Sequence, residues 1–238
     1  MGELFDFHGH FLPNMDDGCK DPAESLEVLR QSAAQGVRTM VATPHFFSSR
    51  ETVDSFLMRR QASYDALLQA MASKPDVPYP EILLGAEVAY RPNISRLPDL
   101  EKLCIANSKY LLLELPWSDW TNEMMREIQN ISVVRGLIPI LAHLDRYMER
   151  ANRQKIQELF RMDLLVQVNA ECFLSFSGRC TARKLLRYGS IDLLGSDCHN
   201  LTSRKPNLEA GFTALQKLSP QAFHHIKHAS DALYDDLK

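Results

Sequence analysis

Histidines and carboxylates stand close together near the start of the chain, in a pattern suited to binding a metal ion. The segment DFHGH at residues 6–10 is followed by DDG at residues 16–18. In a β-strand alternate side chains point to the same face, so His8 and His10 can present both imidazoles to one cation. Imidazole nitrogen combined with carboxylate oxygen suits zinc, manganese or iron. An H-x-H pair alone leaves a structural role equally open.

Side chains of the same kinds recur where later apolar runs end. These residues are His45, Glu87, Glu114, His143, Asp197 and His199. Together with His8 and His10, five of the eight histidines in the chain therefore lie at the end of a short hydrophobic run. Separate core or surface histidines would not be expected to share this position, so the set favours one common metal site.

Composition sets limits on the class of protein. A chain of 238 residues is long enough for a sizeable core, and we expect a single domain over residues 1–238. The net charge of −3 gives no indication of a nucleic-acid or anionic-membrane partner. No apolar stretch reaches the ~18 residues of a membrane span, and the N-terminus lacks a signal segment, so no membrane insertion is expected. Five irregularly spaced cysteines predict reduced thiols and a cytoplasmic location.

The order of apolar runs and helical patterns predicts an α/β fold. Strands are predicted at 4–8, 39–42, 82–88, 110–115, 138–142, 164–169 and 191–196, and helices at 22–35, 52–73, 122–135, 153–162, 181–188 and 207–217. The strands are apolar throughout, which is typical of a parallel sheet covered by helices. Functional groups at the C-terminal ends of such strands are typical of a barrel. With about seven strands, we predict a distorted (β/α)7 barrel with the metal site at those ends.

Taken in order, these motifs resemble the polymerase and histidinol phosphatase (PHP) superfamily. The segments that carry the likeness are residues 6–10, 12–18, 42–45, 85–87, 142–147 and 196–200. The opening D-x-H-x-H…L-P-x-x-D-D-G is similar specifically to the manganese-dependent tyrosine-protein phosphatases of bacterial capsule and exopolysaccharide clusters. The similarity runs from about residue 4 to residue 206, so it covers most of the chain.

The resemblance implies a PHP-type site for three divalent ions, manganese first, with iron or zinc as alternatives. The implied ligands are His8, His10, Glu87 and Asp197 for one ion, Glu87 (as a bridge), Glu114 and His143 for the second, and Asp17, His45 and His199 for the third. Nine side chains for three ions leave coordination positions open for water and substrate oxygens, as a catalytic site requires.

Arg146 and Arg204 resemble the arginines that bind phosphate in this family. A guanidinium can hold two phosphate oxygens at once, although each arginine is otherwise read as an ordinary surface charge. The resemblance implies hydrolysis of phosphotyrosine by metal-activated water, with no covalent enzyme intermediate. The implied partner is the phosphotyrosyl tail of a bacterial tyrosine kinase that controls capsular and exopolysaccharide synthesis.

Two departures from the family pattern bear on substrate choice more than on the metals. After His143 the family usually has proline and glutamate, where this chain has Leu144 and Asp145. We therefore expect the loop that directs Arg146 to differ. Residues 171–173 are larger than usual and are expected to line the mouth of the site. Trp117 follows Glu114 closely, and it fits both simple packing and stacking on a substrate tyrosyl ring.

Three other interpretations fit parts of the sequence. Cys198 and Arg204 match the C-x5-R loop of cysteine-dependent tyrosine phosphatases, but no glycine lies between them to let backbone amides surround a phosphate. A PHP phosphatase of a small metabolite such as histidinol phosphate would need a closed pocket, where a peptide phosphatase needs an open groove. A binding protein whose metals serve folding only would have no use for two phosphate-binding arginines.

Overall fold

A computed structural model describes residues 2–148 and 153–238 of the chain. Its strands are β1 (Leu4–Gly9), β2 (Val37–Ala42), β3 (His45–Phe46), β4 (Glu81–Leu84), β5 (Glu87–Ala89), β6 (Tyr110–Glu114), β7 (Ile138–Leu141), β8 (Leu165–Asn169) and β9 (Leu193–Gly195). Its α-helices are α1 (Pro22–Ala34), α2 (Val53–Ala72), α3 (Asn122–Arg135), α4 (Arg153–Leu159), α5 (Phe176–Tyr188), α6 (Leu208–Leu218) and α7 (Pro220–Asp236).

The paired strands are parallel and form a curled sheet. One part has the order β1-β2-β4 and the other the order β3-β5-β6-β7-β8-β9. The outer strands β1 and β9 meet through a parallel bridge between Gly9 and Cys198, and the backbone N–H of His10 donates to the carbonyl of Cys198 at 2.8 Å. Since β2 with β3, and β4 with β5, each occupy one position around the sheet, the predicted distorted seven-stranded barrel is confirmed.

The prediction of one unbroken strand over residues 82–88 is wrong, because the barrel breaks there. Pro44 has no N–H for a sheet ladder, and it separates β2 from β3. The neighbouring position breaks opposite it, at residues 85–86, where the N–H of Gly85 donates to Ala42 and that of Glu87 donates to Pro44. Buried Arg60 donates to the Gly85 carbonyl at 2.6 Å. The break lies just before Glu87.

The helices follow the predicted order, with two corrections at the C-terminal side. Helix α5 begins five residues before the predicted position 181, because the Ser175 hydroxyl accepts the N–H of Gly178 and caps an N-terminal turn that has no apolar periodicity. Helix α7 was not among the predicted helices. It begins at Pro220 behind the Ser219 cap. No helix in the described ranges is both long enough and apolar enough to cross a membrane.

Helix α7 covers the end of the barrel opposite the predicted site. Tyr234 of α7 stacks on Phe5 of β1 with ring centroids 4.1 Å apart. The Tyr110 hydroxyl at the start of β6 donates to Asp236 at 2.6 Å, and the Tyr234 hydroxyl donates to Glu81 at the start of β4 at 3.2 Å. All three contacts lie at or near strand N-termini, so the opposite, C-terminal edge is left for chemistry.

Candidate metal centre

The C-terminal edge of the barrel gathers four buried side chains around one point. His8 lies on β1, His10 follows it, Glu87 begins β5, and Asp197 follows β9. The Nε2 atoms of His8 and His10 lie 3.3 and 3.1 Å from Glu87 Oε2. Both nitrogens also lie 3.5 Å from Asp197 Oδ1. Each of the four residues is at most 2% exposed, so the donors converge away from bulk water.

The two carboxylate oxygens of Glu87 face different neighbours. Oε1 lies 2.9 Å from His143 Nε2, whereas Oε2 faces His8, His10 and, at 3.1 Å, His45 Nδ1. Glu114 lies beside two of these histidines: its Oε1 is 3.7 Å from His143 Nε2, and its Oε2 is 3.8 Å from His45 Nδ1. A carboxylate with separate donor groups on each oxygen is placed as a bridging ligand would be.

A third group of donors lies toward the surface. Asp17 Oδ1 is 3.6 Å from His45 Nε2 and 3.4 Å from His199 Nε2. The Asp17 side chain is 63% exposed, whereas His199 is buried and its ring stacks on His10 at 3.9 Å. The exposed carboxylate thus closes the outer side of the cluster.

The nine predicted ligands form one continuous cluster, but its donor sets overlap more than the predicted grouping. Donor atoms within 4.8 Å of one another form three sets, namely His10, Asp17, His45 and His199; His8, His10 and Asp197; and His45, Glu87 and Glu114. His10 belongs to two sets, and His45 accompanies Glu87 and Glu114. His143 contacts this last set through Glu87. The assignment of particular ligands to particular ions stays a prediction.

Unpaired buried atoms indicate that the cluster fits a cation. Within residues 2–148 and 153–238, Asp197 Oδ1 and His199 Nε2 are buried and make no hydrogen bond. Their polar neighbours are other candidate ligands at 3.4–3.6 Å. Buried polar atoms are rarely left unsatisfied, and a bound ion is one reason for such an exception. Imidazoles and carboxylates together are the donors expected for manganese, iron or zinc.

Electrostatics at the site favour the ionised forms of Glu87 and Asp197. Burial alone would raise the pKa of Glu87 and Asp197, but the neighbouring histidines outweigh it and hold both values well below their ordinary range. Burial also raises the pKa of Glu114 to about 7, with Glu87 adding to the shift. Burial lowers the pKa of His199 to about 3, so this imidazole is neutral and able to bind a metal.

Asp16 supports His10 and was missed as a site residue. Its Oδ2 lies 2.7 Å from His10 Nδ1, and it accepts the backbone N–H groups of Gly18 and His45 at 2.9 Å each. Burial opposes protonation of His10. The carboxylates of Asp16 and Glu87 outweigh this effect and raise the pKa of His10 to about 10. A Cβ at position 18 would lie 2.0 Å from the His10 carbonyl, so only glycine fits there. The DDG motif contains Asp16 as well as Asp17, but the family resemblance implied a role only for Asp17.

Two further positioning residues come from β8. Gln167 Oε1 accepts the backbone N–H of His143 at 2.6 Å and lies 3.2 Å from His8 Nδ1. Asn169 donates from Nδ2 to Asp197 Oδ2 at 2.9 Å. Hydrogen bonds of this kind fix the orientation of metal ligands. The polar residues at 167 and 169, within a predicted strand that is otherwise apolar, were the available signal.

Both predicted phosphate-binding arginines lie at the rim of the cluster. Arg146 Nη2 and Arg204 Nη2 donate to Asp197 Oδ2 at 2.5 and 2.8 Å, and Arg204 Nη1 is 3.6 Å from Asp17. Each side chain is 30% exposed. Half-buried Asp145 accepts the backbone N–H of Asn169 at 3.0 Å and so ties the loop of Arg146 to the end of β8. The departure at Asp145 therefore has a structural role.

An open groove of about 570 Å³ begins beside Arg146. Trp117 and Glu171 form part of its walls, and Trp117 is 52% exposed while its ring packs 5.2 Å from that of Tyr147. Glu171 and Cys172 line the groove as expected. Phe173 does not, because it is fully buried in the core. Of the three residues predicted to line the mouth of the site, Glu171 and Cys172 therefore line the groove and Phe173 does not.

Cys198 is not placed as a nucleophile. Its side chain is fully buried, and burial raises the pKa of its thiol well above the ordinary value. A thiolate is the reactive form of cysteine, so this environment disfavours attack on phosphorus. The geometry argues against the C-x5-R interpretation.

Known proteins resemble the chain over nearly all of its length. The model of the family described as "Capsular polysaccharide synthesis, CpsB/CapC" matches residues 4–228. Tyrosine-protein phosphatase YwqE of Bacillus subtilis (strain 168) is 27% identical over 222 residues, which cover 90% of this chain and 84% of the relative. Tyrosine-protein phosphatase CpsB of Streptococcus pneumoniae is 29% identical over 234 residues, which cover 90% of each protein.

Solved structures share the fold. One, described as coming from YwqE of Bacillus subtilis and CpsB of Streptococcus pneumoniae, "unique metal-dependent tyrosine phosphatases", has a TM-score of 0.81 and 24% identity, covering 98% of this chain and 95% of the other. Histidinol phosphate phosphatase of Lactococcus lactis, solved with zinc, L-histidinol and phosphate, has a TM-score of 0.53 and 15% identity, covering 96% and 94%. At these identities the likeness concerns the fold alone.

Proposed function

The chain belongs to the CpsB/CapC family of capsular polysaccharide synthesis proteins, and we propose that it is a metal-dependent protein-tyrosine phosphatase. The observation that carries the proposal is Glu87, which has one oxygen facing His143 and the other facing His8, His10 and His45, close to two rim arginines. The relatives named tyrosine-protein phosphatases support the same activity. The reaction is hydrolysis of a phosphate monoester at the C-terminal edge of the barrel.

The metal ligands in this proposal are the nine residues of the cluster. They are His8, His10, Asp17, His45, Glu87, Glu114, His143, Asp197 and His199. Three bound divalent ions, which we propose to be manganese, would supply positive charge to the phosphate and lower the pKa of water at the site. Glu87 and Asp197 stay ionised for this task, and neutral His199 offers Nε2.

Arg146 and Arg204 bind phosphate oxygens in this proposal. Each guanidinium has five N–H donors, and the contacts to Asp197 and Asp17 use only some of them. The remaining donors can take the oxygens of an incoming phosphate and stabilise the charge that develops on them during transfer. Asp197 holds both arginines at one corner of the site, so it orients them as well as serving as a ligand.

The groove supports a phosphotyrosyl peptide as substrate. Its open mouth admits a peptide chain, and half-exposed Trp117 on one wall can contact a tyrosyl side chain. A phenolate, with an ordinary pKa of about 10, is a far better leaving group than the alkoxide of serine. Histidinol phosphate, the alternative substrate, would be expected in a closed pocket. The open groove therefore favours the protein substrate.

We propose the phosphorylated tail of a bacterial tyrosine kinase as the partner and capsule or exopolysaccharide synthesis as the process. The family description supports the process. The five cysteines are unpaired thiols, four of them buried, which suits a reducing compartment such as the cytoplasm.

Steady-state kinetics with three substrates test the proposal. The manganese-loaded protein should have a much higher kcat/KM for a phosphotyrosyl peptide than for the same peptide with phosphoserine or for histidinol phosphate. The matched control is Glu87→Gln, which should lose all three activities and so exclude a contaminating phosphatase. A clear preference of the wild-type protein for histidinol phosphate would reject the peptide substrate in favour of the metabolite.

A further inference from the structure

Helix α5 carries a basic face that the proposed reaction does not use. Its charged residues are all basic, namely Arg179, Arg183, Lys184 and Arg187. The chain as a whole has a net charge of −3, so this concentration of positive charge is local. Arg183 and Lys184 are exposed, and neither forms an ion pair with a carboxylate in the part of the chain that the structure describes. Such a face can attract an anionic group.

Part of this face opens into a second groove, of about 600 Å³, between α5 and α6. The lining residues are Arg179, Arg183, Glu209, Ala210, Thr213, Ala214, Lys217 and Leu218. The small apolar residues of α6 leave room above them, and three cations against one carboxylate give the groove an excess of positive charge. Arginine forks suit carboxylate and phosphate groups. The groove therefore fits an anionic side chain better than a neutral one.

The same helix separates this groove from the proposed active site. Ser177, Gly178 and Thr181 line the groove beside Arg146, whereas Arg179 and Arg183 line the second groove. Residues four apart share one face of a helix, so the two sets lie on different faces of α5. A helix is roughly 10 Å across, and an extended peptide spans about 3.3 Å per residue. A peptide chain can cross α5 with about three to five residues.

We propose that the groove between α5 and α6 binds acidic side chains of the substrate, about three to five residues from the phosphotyrosine that is hydrolysed. This inference rests on the proposed phosphatase function and adds a substrate class, phosphotyrosyl peptides with nearby anionic groups. A peptide fits a concave groove between two helices, whereas a flat anionic membrane would meet only its rim. The anionic group is a carboxylate or a second phosphate, since arginine recognises both.

Matched phosphotyrosyl peptides test this inference. One peptide carries glutamates three to five positions before the phosphotyrosine, a second carries them after it, and two controls carry glutamine at the same positions. A fifth and a sixth peptide carry a second phosphotyrosine in place of the glutamates, one on each side. We expect the KM of at least one anionic peptide to be about fivefold lower than that of its neutral control, from a few exposed ion pairs. Raising the salt concentration to about 1 M should remove the difference.

Charge reversal locates the effect. The double variant Arg183→Glu/Lys217→Glu should lose the preference for the anionic peptide and keep the wild-type kcat on a small aryl phosphate. The control Lys184→Glu changes the charge of α5 by the same two units as Arg183→Glu alone, but Lys184 lies outside the groove lining, so this variant should keep most of the preference. The pattern of glutamate against phosphotyrosine peptides then shows which anion the groove accepts better.

Several outcomes would overturn the inference. Equal KM values for anionic and neutral peptides, with normal hydrolysis of the small aryl phosphate, would reject the groove and leave the phosphatase function standing. If Lys184→Glu lost the preference for the anionic peptide to the same extent, the preference would come from the overall positive charge of α5 and not from a binding site in the groove. Loss of binding to anionic vesicles by the double variant, with unchanged peptide kinetics, would assign the face to a membrane. No hydrolysis of any aryl phosphate by metal-loaded protein would reject both proposals.

Discussion

The cluster of candidate metal ligands has a buried floor and an exposed rim, and the two differ in how their side chains are held. The floor consists of His8, His10, Glu87, His143 and Asp197, each at most 2% exposed. The rim consists of Asp17, His45, Glu114, Arg146 and Arg204, whose side chains are 18–63% exposed. Buried His199 connects them. The floor is thus part of the core, whereas the rim is open to substrate and solvent.

The floor is fixed by a second layer of hydrogen bonds. Asp16 contacts His10, Gln167 contacts His8 and the backbone of His143, and Asn169 contacts Asp197. His143 and Asp197 also adopt left-handed backbone conformations, with φ of 35° and 51°, which a well-supported surrounding structure can maintain. We infer that the floor contributes most to ion binding, whereas the rim completes the ligand set and, through Arg146 and Arg204, contacts the substrate.

The largest expected effect follows from changing the floor at Glu87. Glu87→Gln keeps the side-chain size but removes the charge that faces four histidines. We expect turnover to fall to background and bound metal to fall further than in Glu114→Gln, the matched change at the rim. Elemental analysis of both purified variants measures this. A Glu87→Gln protein with the same metal content as the wild type would contradict the proposed bridging role of Glu87.

A change at the rim should affect substrate handling more than metal binding. Arg204→Ala removes a charged donor that lies beside Asp197 and Asp17. Because a hydrogen bond to a charged group contributes about 1.5–3 kcal/mol, kcat/KM should fall by about 10- to 100-fold. Metal content should stay normal, since no ligand is lost. Lys205→Ala, an exposed neighbour, is the control and should behave as wild type. A metal-depleted Arg204→Ala protein would show that the rim and floor are not separable.

Weakening the support of the floor should have a smaller effect that excess metal can reverse. Asp16→Asn removes the charge beside His10 Nδ1. Changes to such supporting partners lower metal affinity by about 10- to 100-fold. We therefore expect low activity at limiting manganese and near-normal activity at saturating manganese, measured by titrating the metal-free protein. A loss that saturating metal fails to restore would assign Asp16 a direct role in the reaction.

The smallest effect is expected at Cys198, which is buried beside the floor but is not a ligand in this account. Cys198→Ser should keep kcat within a factor of about three and lower the free energy of unfolding by about 1 kcal/mol, a typical cost of a buried substitution. Activity assays and thermal unfolding of the metal-loaded protein measure the two quantities. An inactive variant with full metal content would restore the cysteine mechanism.

The sequence predicted the site better than the local geometry that supports it. Ligand types at the ends of apolar runs were recognisable, because parallel strands bring their C-terminal ends to one edge of a barrel. The break at Gly85 and the short strand β3 after Pro44 were not predicted, since they depend on pairing between two strands and on Arg60 from a distant helix. The different roles of Asp16 and Asp17 could not be predicted from the sequence either. Adjacent aspartates look alike in sequence, and only the fold turns one inward toward His10.

Residues 171–173 also show that local geometry was harder to predict than the identity of the site residues. Its three residues were expected to act together as a mouth, but a short turn exposes Glu171 and buries Phe173 in the core. The start of α5 was placed too late for a related reason. Its first turn is stabilised by the Ser175 cap and not by an apolar stripe, so hydrophobic periodicity did not detect it.

Stepwise metal removal is the sharpest test of whether hydrolysis depends on ions bound at this cluster. The protein is treated with a strong chelator, its metal content is measured by elemental analysis, and hydrolysis of a phosphotyrosyl peptide is measured before and after manganese is returned. We expect activity to disappear as metal is lost, to return with manganese, and to be unaffected by alkylation of accessible thiols. Phosphotyrosine hydrolysis that continues at the wild-type rate when no metal is detectable would contradict it.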